Sequence, residues 1–199
     1  MMQFQTTSNI RAIAYQIEKQ GKHICGDSFY MHATEDYFIA VIADGLGSGD
    51  AAKESSQVIC QVVEDYQKAD VTQILTYCNE IVKNKRGATV SILKIDFKFK
   101  KFTYSSVGNI RFVLYTPSGQ YTYPVPISGF LSGKPQKFRT QTFSYESGSK
   151  FILHSDGLKI STIKSLLKDS SSVESISQKL DTYIPNRTDD LTYIIGQLY

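Results

Sequence analysis

The chain has 199 residues, of which 41% are hydrophobic and 21% charged, with a formal charge of +3. This length predicts one domain, spanning residues 1–199, with a sizeable core. The small positive charge does not indicate binding to nucleic acid or to a membrane surface, and the apolar runs are too short to span a bilayer. Three cysteines without metal-ligand spacing, and without a preceding signal peptide, are typical of a reducing cytoplasm. We therefore expect a cytoplasmic protein. We also expect a monomer, although none of these features determines the oligomeric state.

The first half of the chain predicts three strands followed by two helices. The strands are indicated by apolar residues that alternate or run between polar turns, and the helices by apolar residues on one helical face. We expect the polar residues 1–9 to fray and Asp50 to cap the first helix. The predicted elements are strands over 11–18, 28–33 and 37–43 and helices over 50–66 and 70–82.

The second half predicts further strands and two short helices around a proline-rich segment. Four of the five prolines fall in residues 117–140, which predicts a surface loop or short flap. Gly108 and Asn109 predict a tight turn between two of the strands. The predicted elements are strands over 88–96, 102–107, 110–116, 120–123, 141–145, 151–154 and 191–195 and helices over 160–167 and 173–183.

The hairpin over 28–43 places two aspartates at its open end. Because the turn centres near residues 35 and 36, Asp27 should lie opposite Asp44, within cross-strand reach. Three glycines follow Asp44 within five residues, and glycine lets the backbone turn sharply and approach a ligand closely. This end of the hairpin therefore suits a hard cation, a phosphate, or both.

A second group of acids borders the last predicted strand. Asp156 follows strand 151–154, and Asp189 and Asp190 precede strand 191–195. If these two strands pair antiparallel, Asp189 meets Asp156 at one end. Clustered carboxylates repel one another unless cations neutralise them, and carboxylate, carbonyl and water oxygens are the ligands of Mg²⁺ and Mn²⁺. The sequence therefore predicts two such ions, which could activate a water and hold a phosphoryl group.

Other kinds of site fit the sequence less well. An EF-hand would need alternating oxygen ligands after Asp44 and a final glutamate. In a dinucleotide site Asp44 would crowd the pyrophosphate, and a second helix follows where a strand should come. A two-metal nuclease would need a basic groove with stacking aromatic residues. Any single aspartate could also simply end a strand or cap a helix, so the metal prediction depends on the whole set.

Six short motifs occur in a characteristic order along nearly the whole chain. They are Cys-Gly-Asp-Ser at 25–28, Ala-Asp-Gly at 43–45, Gly-Ala-Thr at 87–89, Ser-Val-Gly-Asn at 106–109, Ser-Asp-Gly at 155–157 and Asp-Asp-Leu-Thr at 189–192. In this order they resemble the PP2C (PPM) metal-dependent protein phosphatases. The resemblance implies an α+β fold, the PP2C-like four-layer α-β-β-α sandwich, in which helices flank two antiparallel sheets. It also implies hydrolysis of phosphoserine or phosphothreonine.

The same resemblance implies roles for individual residues. Asp44 matches the acid that bridges two Mn²⁺ or Mg²⁺ ions, and a water bridging those ions attacks phosphorus directly. The implied catalytic residues are Asp27, Asp44, Asp156 and Asp189. The implied metal ligands are the carboxylates of Asp27, Asp44, Asp156, Asp189 and Asp190 and the carbonyl of Gly45.

The chain departs from the family pattern in three places. Leu46 stands where larger relatives often carry a histidine proposed to protonate the leaving group. Asn109 stands where many relatives have an aspartate that helps to hold a third metal. The phosphate-binding arginine near the first motif is absent, which leaves Lys22 or His23 as candidates. We therefore expect two well-occupied ions and a phosphate site that differs from that of the family.

Four longer runs are similar to those of small phosphatases in the bacterial sigma-B stress pathway: Gly-Asp-Ser-Phe, Asp-Gly-Leu-Gly-Ser-Gly, Asn-Lys-Arg-Gly-Ala-Thr and Leu-Ser-Gly-Lys-Pro-Gln-Lys. This similarity implies phosphorylated stressosome proteins, RsbS and RsbR, as partners and substrates, and negative regulation of sigma-B. The alternative is a catalytically silent PP2C-like module that binds a phosphoprotein. The complete set of acids argues against it, because a silent member would be expected to lose metal ligands.

Overall fold

Two antiparallel sheets form the centre of the computed structural model, which describes residues 1–199 apart from the side chain of Asn186. In spatial order, the first sheet contains β1 (Met2–Thr6), β2 (Ile10–Ile17), β11 (Leu191–Leu198), β10 (Lys150–His154), β7 (Arg111–Tyr115) and β8 (Tyr121–Thr122). The second sheet contains β3 (Asp27–Ala33), β4 (Tyr37–Gly45), β5 (Ala88–Asp96), β6 (Lys101–Val107) and β9 (Thr140–Ser144).

Strand β4 is apolar along almost its whole length because both of its faces are covered. Phe38 and Ile42 pack between the two sheets, whereas Ile39 and Val41 face the outer side of the second sheet and pack against helices. Successive side chains of a strand point to opposite faces, so a strand buried on both faces reads as a continuous hydrophobic run. The strand ends at Asp44 and Gly45, two residues of the predicted metal site.

Helices cover the outer face of each sheet. The helices α1 (Asp50–Asp65) and α2 (Val71–Ile81) lie on the second sheet. The helices α3 (Ile163–Asp169) and α4 (Val173–Leu180) lie on the first, where a 3-10 helix over Asp181–Asn186 follows α4. The predicted α-β-β-α sandwich is thus confirmed. Within the described residues, no helix is long and apolar enough to cross a membrane.

Three local predictions were wrong. Residues 1–9 do not fray, since β1 pairs along β2 from Met2 opposite Tyr15 to Thr6 opposite Arg11; backbone hydrogen bonds hold this polar edge strand. Asp50 does not cap α1, because it is the first helical residue and Gly49 occupies the cap position. The Asp50 carboxylate instead lies in the first turn, where the helix dipole favours negative charge.

The turn at Gly108 and Asn109 does not close a hairpin. Strands β6 and β7 on its two sides belong to different sheets, so the chain crosses between the sheets at this point. Gly108 has φ +114°, a conformation that strongly favours glycine. The rings of Tyr104 and Phe112 then meet between the sheets with centroids 5.4 Å apart. The crossing also brings Asn109 to the end of the molecule where the acids lie.

Candidate active site

The first pair of acids lies where the hairpin prediction placed it. Asp27 is the direct cross-strand partner of Asp44 at the open end of β3 and β4. Asp27 is almost completely buried, and among the described side chains its Oδ2 has no hydrogen-bond partner. Burial raises its pKa to about 6, against the lowering effect of the Thr192 and Ser155 hydroxyls. A buried, incompletely bonded carboxylate of this kind is costly unless a cation neutralises it.

Asp44 is the residue on which the charges of both sheets converge. Its pKa is raised to about 8, first by burial and then by repulsion from Asp27, Asp156, Asp189 and Asp190. Asp27 comes from the second sheet, whereas the other three acids border strands of the first sheet. The two sheets therefore bring their terminal acids to one end of the molecule.

Asp156 and Asp189 belong to the second pair. The predicted antiparallel pairing of β10 with β11 is confirmed, with His154 opposite Tyr193. In this register Asp189 lies in the loop before β11 and is not a direct cross-strand partner of Asp156. Burial and the nearby Asp189 raise the pKa of Asp156, and Lys159 opposes them. Asn109 donates an Nδ2–H hydrogen bond of 2.7 Å to Asp156 Oδ2 and so fixes the orientation of that carboxylate.

Asp190 contacts the backbone rather than another acid. Its Oδ1 accepts the Lys19 N–H at 2.7 Å, and its Oδ2 accepts the Gly26 N–H at 2.6 Å. These bonds tie the loop before β3 to the start of β11, which lies 164 residues further along the chain. Asp190 thereby fixes the position of Gly26, the residue before Asp27, and links the two sheets at the site. Its predicted role as a metal ligand stays a prediction.

The carboxylate oxygens of these acids are suitable ligands for divalent cations, although the side chains do not form a complete coordination site. Among the described residues, no three His, Cys, Asp or Glu side chains are grouped as ligands of one ion. Four oxygens of the cluster already accept hydrogen bonds within the protein: Asp156 Oδ2, Asp189 Oδ1 and both carboxylate oxygens of Asp190. The orphaned Asp27 oxygen and the raised pKa of Asp44 nevertheless indicate negative charge that lacks a partner. Hard oxygen ligands of this kind suit Mg²⁺ or Mn²⁺.

The glycine-rich loop after β4 is shaped by close backbone contacts. A Cβ on Gly45 would overlap the backbone carbonyl of Ala52 in α1, so only glycine lets the helix pack so closely against the end of the strand. Gly47 has φ +92°, and a Cβ there would meet the guanidinium group of Arg86. The loop consequently turns tightly beside Asp44, as the glycine spacing predicted.

Two cationic residues near the acids were missed by sequence reasoning. Arg86 is exposed and lies against Gly47, and it has no ion pair within the described structure. The register could have found it, because Gly45 pairs with Ala88 and places Arg86 beside the glycine loop. Lys53 donates its Nζ–H to the Asp27 backbone carbonyl at 2.9 Å. The predicted alternatives Lys22 and His23 lie exposed in the loop before β3.

Cys25 lies beside the acids but is not equipped to attack phosphorus. Burial, together with Asp27 and Asp190, raises the pKa of its thiol to about 12. The thiolate is the nucleophilic form of cysteine, so this thiol is inert near neutral pH. The local charge thus disfavours a covalent cysteine intermediate.

Comparison with known proteins supports the phosphatase resemblance. The family model for Stage II sporulation protein E (SpoIIE) matches residues 34–195. Over 198 residues, covering 100% of both chains, the sequence is 56% identical to "Phosphoserine phosphatase RsbX" of Bacillus subtilis (strain 168). The crystal structure of RsbX in complex with magnesium superimposes with a TM-score of 0.97, at 55% identity and full coverage of both chains.

Two more distant solved structures share the fold. One, described as "The bacterial stressosome: a modular system that has been adapted to control secondary messenger signaling", has a TM-score of 0.82 at 22% identity, covering 94% of this chain and 99% of that one. The catalytic domain of the serine threonine protein phosphatase PstP in complex with 2 manganese ions has a TM-score of 0.76 at 16% identity, covering 96% and 98%. At these identities the likeness concerns the fold alone.

The sandwich and its relatives define the class of protein: a PP2C-type phosphatase, which is a hydrolase. Within that class, the chain belongs to the SpoIIE family.

Proposed function

We propose that this phosphatase removes phosphate from phosphoserine or phosphothreonine on the stressosome proteins RsbS and RsbR and thereby lowers sigma-B activity. The observation that carries the proposal is the convergence of acids from both sheets on Asp44, whose pKa rises to about 8. The similarity to RsbX over the full chain supports a phosphoserine substrate. Like its relative, which was crystallised with magnesium, the chain would depend on a divalent metal.

The proposed metal ligands are the carboxylates of Asp27, Asp44, Asp156, Asp189 and Asp190 and the carbonyl of Gly45. Two bound Mn²⁺ or Mg²⁺ ions would lower the pKa of a water, so that it can attack phosphorus directly, and would neutralise the phosphoryl charge. We assign Asp190 a positioning role in addition, because both of its oxygens hold backbone amides.

Other residues of the chain would act on the substrate phosphate. The Arg86 guanidinium offers planar hydrogen-bond donors that suit phosphate oxygens, and it lies beside the loop that follows Asp44. We propose that it replaces the phosphate-binding arginine that the family carries near the first motif. Leu46 has no proton to give, so the leaving serine would take its proton from water. Asn109 would keep the Asp156 carboxylate oriented through their hydrogen bond.

The decisive experiment measures phosphate release from phosphorylated RsbS and RsbR. We expect release with Mn²⁺ or Mg²⁺ and none in excess chelator. An Asp27→Asn variant should lose this activity, whereas Asp65→Asn, which changes an exposed acid at the far end of α1, should keep it. Tight binding of the phosphoproteins without release, at any metal concentration, would favour the silent binding module instead.

The domain organisation and oligomeric state are part of the same proposal. We propose that residues 1–199 act as one catalytic domain and as a monomer, with the segment 117–140 as a short flap. Two bridges tie the flap to the second sheet, from Leu131 to Ala88 and from Ile127 to Val107. Light scattering should give the mass of one chain, 22.4 kDa, and a dimer mass would contradict this part.

A further inference from the structure

A groove of about 920 Å³ opens beside the acids on the side of the first sheet. Asn109 and Asp156 line one end of it, so the groove is continuous with the candidate active site. Its walls come from β7, from the flap and from the segment that leads into α3. When a substrate protein places its phosphoserine at the acids, the residues next to that phosphoserine can therefore lie in this groove.

The groove is apolar along its walls. Tyr123 of the flap lines it with 44% of its surface exposed, and Ile160 and Ile163 line it while only partly buried. A partly exposed aliphatic or aromatic side chain gains free energy when a partner covers it. This part of the groove consequently suits an apolar side chain of the bound segment.

The floor and the edge supply polar partners. His154 is buried and lines the groove; its Nδ1 lies 2.9 Å from the Ser155 carbonyl and must donate to it, because a carbonyl only accepts. In that tautomer Nε2 is an acceptor, and no described group donates to it. Arg111 and Lys159 also line the groove, and within the described structure neither has an acidic side chain as an ion-pair partner.

We infer that this groove binds the stretch of the substrate protein that flanks the phosphoserine, with an apolar residue against Tyr123, Ile160 and Ile163 and an acidic residue facing Arg111 and Lys159. We take the occupant to be an extended peptide segment, and Nε2 of His154 offers an acceptor for one of its backbone N–H groups. Lys164, whose Nζ lies 5.5 Å from the centre of the Tyr123 ring, adds positive charge near the groove. The inference rests on the proposed function, since the substrate must be a phosphoprotein.

The test compares two phosphoserine peptides on the same enzyme. One carries leucine at the second and glutamate at the third position on both sides of the phosphoserine, and the other carries alanine and glutamine there. We expect kcat/KM to be about tenfold higher for the first peptide, as for partial burial of one leucine. The ratio of the two kcat/KM values is the quantity to compare between enzyme variants, because a change in the chemical step that affects both peptides equally cancels in it. Equal values on the unmodified enzyme would overturn the inference.

Variants then locate the preference. Tyr123→Ser and Arg111→Glu should each reduce the ratio at least threefold, and both residues are exposed enough to be changed without disturbing the core. Lys68→Glu makes the same charge change at an exposed position beyond the far end of α1, so it should keep the full ratio. A ratio that survives both groove variants would show that the segment binds elsewhere.

Failure of the groove can be told apart from failure of the function. If neither peptide nor a simple aryl phosphate is hydrolysed with Mn²⁺, the proposed phosphoprotein activity is wrong. Fluorescence anisotropy with the same two labelled peptides then still measures whether the groove prefers the first one. Hydrolysis of both peptides at the same rate, with equal binding, would overturn only the groove.

Discussion

Replacing Asp44 with asparagine removes the charge on which the acids of both sheets converge. The change keeps the shape of the side chain but takes away the carboxylate that we assign to both ions. We expect hydrolysis of phosphoserine to fall at least about 100-fold, because even residues that only support metal ligands cost 10–100-fold when changed. The fold should remain intact, since Asp44 lies near the end of β4 and belongs to none of the three hydrophobic core clusters.

The same substitution should stabilise the protein when metal is removed. Because the pKa of Asp44 rises from 3.8 to about 8 on folding, the folded state binds more protons than the unfolded state between those pH values. The free energy of unfolding therefore falls as the pH rises through this window. At about 1.4 kcal/mol per pKa unit, the upper limit for this loss is about 6 kcal/mol.

The measurable gain will be smaller than that limit. Asp44 is partly exposed, so water and salt screen its repulsion, and the remaining acids still repel one another. We expect the variant to gain about 2 kcal/mol in chelator above pH 8, which raises Tm by about 4–8 °C in a protein of this size. Near pH 3, below the unfolded-state pKa of 3.8, the gain should vanish, because Asp44 is then protonated in the folded state and largely so in the unfolded state.

Thermal unfolding in chelator at several pH values, together with Mn²⁺-dependent phosphate release, tests both parts. Asp65→Asn is the matched control and should change neither quantity. A folded Asp44→Asn protein that keeps most of its Mn²⁺-dependent activity would refute the metal assignment. A gain in Tm that does not grow with pH would refute the account based on repulsion.

Three further predictions follow from the site. Arg86→Gln should lower kcat/KM for a phosphoserine peptide about 10- to 100-fold, because a hydrogen bond to a charged group is lost. The control Lys85→Gln, in the same basic run, should change kcat/KM less than about twofold. Equal effects of the two substitutions would contradict a specific phosphate contact. Cys25→Ala should keep its activity, and acid quenching during turnover should trap no phosphoenzyme, since metal-activated water can serve as nucleophile; a trapped phosphocysteine would contradict this. Asn109→Asp should raise the number of Mn²⁺ ions bound per chain in a titration from about two to about three, because a second carboxylate beside Asp156 favours a further cation. A third tightly bound ion in the unmodified protein would show this expectation to be wrong.

The fold was predictable where local patterns decide it. The apolar run of β4 predicts a strand that is buried on both faces, and the polar turn at 34–36 determines the register of the hairpin. That register alone placed Asp27 opposite Asp44, as the structure has it. The proline-rich segment 117–140 likewise marked a connection, and the predicted start of the second helix near Asp70 agrees with the structure, where Asp70 caps α2 by accepting the Gln73 N–H.

What the sequence could not supply depends on contacts between distant segments. A turn signal at Gly108 shows where the chain bends but not whether the next strand pairs with the last; the core between the sheets decides this. The roles of Asp190 and Arg86 depend in the same way on packing across the molecule, since Asp190 bonds an amide 164 residues away. The start of the chain has only a short alternation at Met2 and Phe4, both of which stay exposed, and the pairing with the edge of β2 makes residues 2–6 a strand.

The repulsion among the acids links stability to function. The candidate site is assembled from both sheets, so the packing of the sheets forces the carboxylates together and costs stability in the absence of cations. A cation that binds only the folded arrangement repays this cost by mass action, in proportion to its affinity and concentration. A chain that relieved the repulsion with a neutral residue would fold more stably, but it would also discard the charge that attracts the ions. If Asp44 binds the ions as proposed, the repulsion at Asp44 is the source of the metal affinity, so the stability and the activity of the Asp44 variant should change in opposite directions.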